Sequence, residues 1–230
     1  MNISDWIVYE DDAFIAVNKP AMLPTQPDLT GDVSLWDLTN NYWGSKTFLL
    51  HRIDRPTSGI VLFAKNEKAA AAVNQQFQNR ETQKLYLTIV ENAPLPSLSE
   101  QVSTKAVLTH FLIENKEKNK SYITESGNKQ AKRAELHYIL RGSSDRYHLL
   151  EIDLKTGRHH QIRAQLGAIG CPVKGDVKYG ARRANKDRSI HLHAWQFSFL
   201  HPFLNKKIDL TAALPNDILW QFFDKILTSP

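Results

Sequence analysis

Alternating apolar and polar positions divide most of the chain into short segments typical of strands. The pattern predicts strands over residues 6–9, 13–17, 47–50, 60–64, 84–90, 134–140, 147–154, 190–200 and 206–210. It predicts helices over residues 34–42, 67–79 and 215–227, and a further helix that starts at Thr156 or Gly157. Strands and helices do not alternate regularly, which favours an α+β fold with a mainly antiparallel sheet.

Polar residues mark the ends of the predicted helices. Ser34 and Asn66 stand at two N-termini, where a side-chain oxygen can accept a hydrogen bond from a free backbone N–H group. Asp217 lies in the first turn of the last helix, where negative charge is favoured. Gly170 stands where glycine commonly ends a helix, and it would end the helix that starts at Thr156 or Gly157.

The helix that ends before Gly170 brings basic side chains to its N-terminus. Arg158, His159 and Arg163 lie in its first turns. Anions are favoured at this end because the helix dipole is positive there. Arg163 is therefore placed to meet a carboxylate or a phosphate.

Two segments are polar and carry no predicted element. Residues 102–123 are rich in lysine, with a flexible tip predicted at 115–120 whose charges face solvent. Pro94 and Pro96, together with the neighbouring serines, predict a surface loop.

Length and composition predict one globular domain over residues 1–230. With 42% hydrophobic residues, the chain can build one substantial core. The one cysteine, Cys171, excludes an intrachain disulfide and suits a reducing compartment. The first twelve residues do not resemble a secretory signal, and no apolar run approaches the ~18–20 residues of a membrane span. We therefore expect a cytoplasmic protein.

Positive charge is moderate overall but clustered in one segment. The net charge is +5, which is compatible with a phosphate-rich partner but weak evidence for one. Six basic residues fall within fifteen positions: Lys174, Lys178, Arg182, Arg183, Lys186 and Arg188. This segment is a candidate for contact with nucleic-acid phosphates.

One carboxylate, Asp54, lies between Arg52 and Arg55 in the stretch HRIDRPTSG at 51–59. Exposed ion pairs contribute only ~0–1 kcal/mol, so the flanking arginines alone do not assign it a role. Its loop joins two predicted buried strands, and loops held by rigid strands commonly carry catalytic groups. Two interpretations stay open from these residues: a catalytic acid, or an aspartate that only caps a turn.

Other chemistries have weaker support. The pairs His159-His160 and His191-x-His193 raise the possibility of a zinc site, but neighbouring side chains on a helix diverge by ~100°, and no HExxH signature is present. Ser58 lacks the GxSxG context of a nucleophilic serine. No phosphate-binding glycine motif supports a nucleotide cofactor.

Several stretches together resemble the RluA family of pseudouridine synthases. The resemblance is carried by NKPAMLP at 18–24, HRIDRPTSG at 51–59, the strand of Tyr86, TGRHHQIR at 156–163, GCPVKGDVKYG at 170–180 and LHA at 192–194. These stretches follow the order of the family over nearly the whole chain. The resemblance implies a mixed, mainly antiparallel sheet flanked by helices, with a central RNA-binding cleft. It also implies isomerisation of uridine to pseudouridine in RNA, without a cofactor.

The resemblance implies roles for individual residues. Asp54 is the catalytic aspartate, and Arg163 forms the ion pair that keeps it ionised. Tyr86 stacks on the target uracil, and Arg52 fills the space of the extruded uridine. Extrusion from a helix costs a few kcal/mol, which these contacts partly offset. Further RNA contacts are expected from His51, Arg55, Arg158, His160, Lys174, Lys178, Arg182 and Arg183.

Two positions depart from the family's pattern, Gln165 where QIRxH is typical and Met22 where NKPxG is frequent. Neither change touches the four proposed catalytic positions. We expect a monomeric catalytic domain without an N-terminal RNA-binding domain, acting on a stem-loop of tRNA or rRNA, with no metal and no membrane. The main alternative is a non-catalytic RNA-binding or remodelling protein of the same fold. A weaker one is a metal-dependent hydrolase that uses His191 and His193.

Overall fold

The computed structural model describes residues 2–91 and 106–228, so the loop predicted at Pro94 and Pro96 lies outside the described residues. The chain forms two compact units. The first comprises Met1–Lys84 and His193–Pro215, and the second comprises Leu85–Leu192 and Asn216–Pro230. The expectation of a single domain over 1–230 stays a prediction.

The described residues form eleven strands and four α-helices, which confirms the α+β class. The strands are β1 (Ile7–Glu10), β2 (Phe14–Lys19), β3 (Phe48–Leu49), β4 (Ser58–Ala64), β5 (Gln83–Glu91), β6 (Ala106–Asn115), β7 (Lys120–Thr124), β8 (Lys132–Ser143), β9 (Tyr147–Leu154), β10 (Leu192–His201) and β11 (Lys206–Thr211). The helices are α1 (Leu35–Trp43), α2 (Glu67–Asn79), α3 (Gln161–Ala168) and α4 (Ile218–Thr228).

The sheet of the first unit is built around β4. Strand β2 pairs antiparallel with one side of β4 and continues to β1. On the other side, β10 runs parallel to the start of β4 and β3 pairs antiparallel with its end. Strand β11 pairs antiparallel with β10. All seven residues of β4 are buried, and strands covered on both faces read as continuous apolar runs.

The core of the first unit combines aromatic residues of the sheet with small residues of α2. Phe14 and Phe199 are fully buried and their rings meet edge to face at 5.1 Å. Ala69 and Val73 bring one face of α2 onto this cluster. Each large apolar side chain buried in this way contributes roughly 1.5–3 kcal/mol.

Three helices begin at a capping side chain. The Ser34 hydroxyl accepts a hydrogen bond from the Asp37 N–H, and the Asp37 carboxylate accepts one from the Ser34 N–H, which completes a capping box. Asn66 accepts from the N–H of Ala69 at 2.9 Å. Asp217 accepts from the second residue of α4 at 2.9 Å, so it precedes that helix. Its predicted place in the first turn was wrong by one position.

The sheet of the second unit has the order β5-β9-β8-β6-β7, with antiparallel pairings throughout. Strands β6 and β7 form a hairpin over much of the lysine-rich segment for which no element was predicted. Residues 116–119 are the exposed turn of this hairpin. Pairing with β8 satisfies the backbone groups of β6, and this long-range contact leaves no clear mark in the local sequence.

Helix α3 starts at Gln161, so the predicted start at Thr156 or Gly157 was wrong. The side-chain oxygen of Gln161 accepts hydrogen bonds from the Thr156 hydroxyl and the Arg158 N–H, at 2.7 and 3.0 Å. His160 has a positive φ of 51°, which interrupts any earlier helix. Arg158 and its neighbour His159 therefore lie before the helix, whereas Arg163 does occupy its first turn.

Candidate active site

The Asp54 loop joins β3 to β4 in the first unit. Asp54 is half-buried, Arg52 is exposed, and Thr57 behind them is buried. The N–H of Thr57 donates to the Asp54 carbonyl at 3.0 Å, which closes a tight turn. The hydroxyl of Thr25 donates to the Ile53 carbonyl at 2.8 Å, which ties the loop to the chain before α1. The loop therefore presents Asp54 from a fixed backbone.

Gly59 sets how closely β4 and β10 approach below this loop. Its φ is +116°, and a Cβ placed on it would lie only 2.3–2.7 Å from the backbone of Ala194. No side chain fits such a separation, and this φ disfavours every residue that has a Cβ. The last glycine of HRIDRPTSG is thus required by the parallel contact of the two strands.

Ser58 and His193 form a buried polar pair at the same contact. The Ser58 hydroxyl lies 2.8 Å from His193 Nδ1, and the two residues are neighbours in the β4–β10 pairing. Burial lowers the pKa of His193 to about 4, although a hydrogen bond with Ala212 opposes the shift. The pair is shielded from solvent, so it supports the turn.

A buried lysine lies under the Asp54 loop. Lys19 is fully buried, and its ammonium donates to the carbonyls of Pro20, Leu23 and Arg55 at 2.9, 2.7 and 3.2 Å. Burial lowers its pKa to about 7, and the charge of Asp54 opposes that shift. Lys19 lies in the NKPAMLP stretch, but the sequence alone did not suggest that its side chain organises the loop.

Arg55 connects the Asp54 loop to the segment before α1. Its guanidinium pairs with Asp28 at 3.4 Å and with Asp32, and its Nε donates to the carbonyl of Met22 at 3.2 Å. Met22 has a φ of +68°, a conformation that favours glycine. The positive φ gives a physical reason for the glycine that the RluA family frequently has at this position.

His51 packs inside the first unit. Its ring stacks on Phe197 at 5.2 Å, and its Nε2 accepts the N–H of Leu62 at 3.2 Å. Burial, with a smaller effect of the nearby Lys84 charge, lowers its pKa to about 3. These contacts make His51 a neutral residue that anchors β4, and the RNA contact expected of it stays a prediction.

In the second unit, Arg163 is held by a carboxylate that the sequence did not single out. Its Nε and one terminal nitrogen donate to the two oxygens of Asp176 at 2.6 and 3.0 Å. The side chains are 5% and 2% exposed, respectively. The guanidinium also lies 5.1 Å from the ring centre of Tyr179. The ion pair predicted between Arg163 and Asp54 stays a prediction.

Tyr86 lies on β5, paired with Ile152 of β9. It is 7% exposed. Its side chain points to the opposite face of the strand from Leu85 and Leu87, because successive side chains of a strand alternate.

Other predicted RNA contacts organise the surroundings of the β6–β7 hairpin. His160 Nδ1 lies 3.0 Å from the Tyr179 hydroxyl, Lys178 donates to the Asn119 carbonyl at 3.0 Å, and Arg158 donates to the carbonyl of Arg133 at 3.1 Å. Within residues 2–91 and 106–228, no group of three histidine, cysteine or acidic residues is arranged to hold a metal ion. Lys174, Arg182 and Arg183 instead line one cavity of the second unit.

Residues 13–168 match the model of the RNA pseudouridylate synthase family. The chain belongs to that family. It is 32% identical over 230 residues to ribosomal large subunit pseudouridine synthase C of Rickettsia felis, covering 97% of this chain and 71% of the relative. It is 31% identical over 230 residues to tRNA pseudouridine synthase C of Vibrio parahaemolyticus, covering 94% and 92%.

The fold has a matching solved structure. Human RNA pseudouridylate synthase domain containing 4 superposes with a TM-score of 0.75 at 24% identity, covering 96% of this chain and 93% of that structure. The family match and the named relatives identify the synthase as an isomerase that forms pseudouridine in RNA. No helix in the described part of the synthase is long and apolar enough to cross a membrane.

Proposed function

We propose that this synthase converts a uridine in a stem-loop of tRNA or rRNA to pseudouridine, with Asp54 as its catalytic carboxylate. The observation that carries the proposal is the construction of the 51–59 turn. Its backbone is fixed by Gly59, Lys19 and Thr25. Asp54 is the one carboxylate of this stretch, and it is half-buried. The reaction requires such a preorganised acid.

The chemistry balances within the substrate. The bond between N1 of uracil and C1′ of ribose breaks, and a bond between C5 and C1′ forms. C5 loses a proton and N1 gains one, so the atoms of the substrate and product are the same. The carboxylate of Asp54 either adds to the sugar as a nucleophile or removes a proton from it as a base. In both cases the carboxylate must be ionised, and its charge must lie at the sugar.

We assign supporting roles to three further residues. Arg163 supplies positive charge that favours ionised Asp54 against the effect of burial, and Asp176 fixes the plane of its guanidinium. Tyr86 stacks on the extruded uracil, and Arg52, which is exposed, occupies the vacated position in the RNA.

The RNA class is inferred from relatives whose names specify large-subunit rRNA and tRNA. We further propose that the synthase acts as a monomer in the cytoplasm, which suits the free, buried thiol of Cys171.

The test compares wild-type protein, Asp54→Asn and the matched control Asp12→Asn, which changes an exposed aspartate of the first unit. Each protein is incubated with tRNA and rRNA that lack modification, and pseudouridine is mapped by chemical labelling. Wild type and the control should form pseudouridine at the same positions, whereas Asp54→Asn should form none while still binding RNA. If wild type binds RNA but modifies no uridine, the non-catalytic RNA-binding alternative replaces this proposal.

A further inference from the structure

We propose that Arg146, Arg182 and Arg183 form a second binding site that holds backbone phosphates of a single RNA strand. The inference rests on the proposed function, since it assumes that RNA is the substrate. It also assigns a role to Arg146, which lies outside the basic segment at 174–188. The three arginines define what we call the arginine pocket.

The arginine pocket is a cavity of the second unit of about 640 Å³. Cavities of ~300–1,000 Å³ are typical of sites that enclose a small ligand or a few of its groups. The β8–β9 turn lines one part of it and the loop after residue 180 lines another. Its lining residues are Glu91, Asp145, Arg146, Tyr147, Lys174, Arg182, Arg183 and Ala184.

The charges around the cavity favour an anion. None of the three arginines forms an ion pair with a described residue, and all three are exposed. The two carboxylate oxygens of Glu91 accept the backbone N–H of Arg182 at 3.0 and 3.2 Å, so Glu91 holds this loop and keeps its negative charge in the lining. Asp145 contributes one further negative charge to the lining. Arginine binds phosphate through two parallel hydrogen bonds, which makes a phosphate group the ligand that fits best.

The side chain of Asn185 fixes the loop that carries Arg182 and Arg183. Its side-chain oxygen accepts a hydrogen bond from Lys174, and its side-chain nitrogen donates to the carbonyl of Ser189 at 2.9 Å. Gly175 allows this approach, since its φ is +90° and a Cβ there would lie 2.7 Å from the Asn185 amide nitrogen. A loop fixed before binding loses less entropy when a ligand orders its side chains.

A second anchor connects Asn185 to helix α4. The same amide nitrogen lies 3.1 Å from His191 Nδ1, and His191 Nε2 lies 3.0 Å from the Asp217 carboxylate. The ring of His191 stacks on Trp220 at 5.6 Å. The loop that carries Arg182 and Arg183 is therefore supported by buried contacts and not only by neighbouring surface residues.

An RNA strand fits this pocket better than an isolated phosphate. Three arginines from two separate elements provide several phosphate contacts, as the regularly spaced backbone of a strand requires. Tyr147 adds an aromatic ring to the lining, and bases of single strands stack on such rings regardless of their identity. The pocket is expected to strengthen binding without selecting a sequence.

The experiment measures the affinity of fluorescein-labelled octauridylate by fluorescence anisotropy between about 50 and 200 mM KCl. The variants are Arg146→Ala and Arg183→Ala, with Lys68→Ala as the control of equal charge change. Lys68 is an exposed residue of α2 and alanine is a strong helix former. Each arginine variant should bind about tenfold more weakly, with a salt dependence reduced by about 0.7 per lost phosphate contact. The control should stay within about twofold of wild type.

Uridine monophosphate serves as a competing probe. At concentrations that would saturate a site specific for a nucleotide, uridine monophosphate should not displace octauridylate from the wild-type protein. The inference is overturned if Arg146→Ala binds octauridylate as wild type does. A second result would also overturn it. If Arg146→Ala loses affinity for uridine monophosphate but binds octauridylate as wild type does, the pocket accepts a small phosphate ligand and not an RNA strand.

The result is separable from the test of the proposed function. Failure of wild type to form pseudouridine would remove the catalytic role of Asp54 without affecting an Arg146-dependent affinity for octauridylate. Conversely, normal pseudouridine formation together with unchanged affinity in Arg146→Ala would remove only the arginine pocket. Thermal unfolding of each variant confirms that it is folded, as expected for substitutions of exposed side chains.

Discussion

Asp176→Asn is the sharpest test of how the site is held together. Asp176 accepts two hydrogen bonds from Arg163 through separate oxygens, and both side chains are at least 95% buried. Asparagine replaces one of these oxygens with an amide that points a donor at a donor. It also removes the negative charge of Asp176 from beside the buried guanidinium.

Breaking a buried ion pair by removing one partner typically costs about 3–5 kcal/mol, because the remaining charge stays desolvated. For a chain of this length, that loss corresponds to a decrease of about 6–20 °C in the melting temperature. We expect a decrease in this range from Asp176→Asn in thermal unfolding followed by circular dichroism. The exposed substitution Asp12→Asn should leave the melting temperature within about 2 °C.

A double variant separates charge from shape. Arg163→Met combined with Asp176→Leu removes both charges at similar volume, and such replacements are often neutral or stabilising. It should therefore recover most of the stability that Asp176→Asn loses, while forming no pseudouridine because the proposed role of Arg163 is absent. A loss below about 1 kcal/mol in Asp176→Asn would refute the reasoning, since that is the value of an exposed pair.

Two further predictions concern the β4–β10 contact. Gly59→Ala should destabilise the protein by more than about 4 kcal/mol or prevent its folding, because the added Cβ would overlap the backbone of Ala194. Gly44 also has a positive φ, +72°, but open space around it, so Gly44→Ala should cost only about 1–2 kcal/mol in urea unfolding. Equal losses would contradict the steric explanation. The pKa of His193 is lowered to about 4, so between pH 6.5 and 4 the unfolded chain binds a proton that the folded protein does not, and stability falls as the pH is lowered through this range. His193→Asn should reduce the slope of unfolding free energy against pH by up to about 1.4 kcal/mol per unit, and an unchanged slope would show that the ring is not buried in its neutral form.

Local chemistry defined those elements whose ends are marked by a particular side chain. The N-terminal boundaries of α1 and α2 follow from Ser34 and Asn66, because a capping oxygen acts within three residues of its own position. The start of α3 was misplaced, since it depends on the positive φ of His160 and on hydrogen bonds from Thr156 to Gln161 and to Glu135 on β8. Contacts of that kind are not visible in the periodicity of a helix.

Asp54 was proposed as the catalytic carboxylate from the motif around it, but the residues that support its loop were not predicted. Lys19 is bound by three carbonyls that come from two parts of the chain. Asp176 lies within the stretch 170–180, yet nothing in the local sequence pairs it with Arg163 thirteen residues earlier. Arg146 joins the arginine pocket only because the β8–β9 turn folds beside the loop that follows residue 180.

Periodicity and contiguous motifs were sufficient to predict the fold class, the family and the residues of the proposed chemistry, because each of these is encoded locally. The tertiary structure decided which charges are neutralised, buried or left exposed. An arginine such as Arg163 is the same residue in the sequence whether it is exposed or buried. Its contribution to the stability of the fold nevertheless differs by several kcal/mol according to its burial and its partner. That partner is chosen by contacts between residues distant in sequence, which only the folded chain brings together.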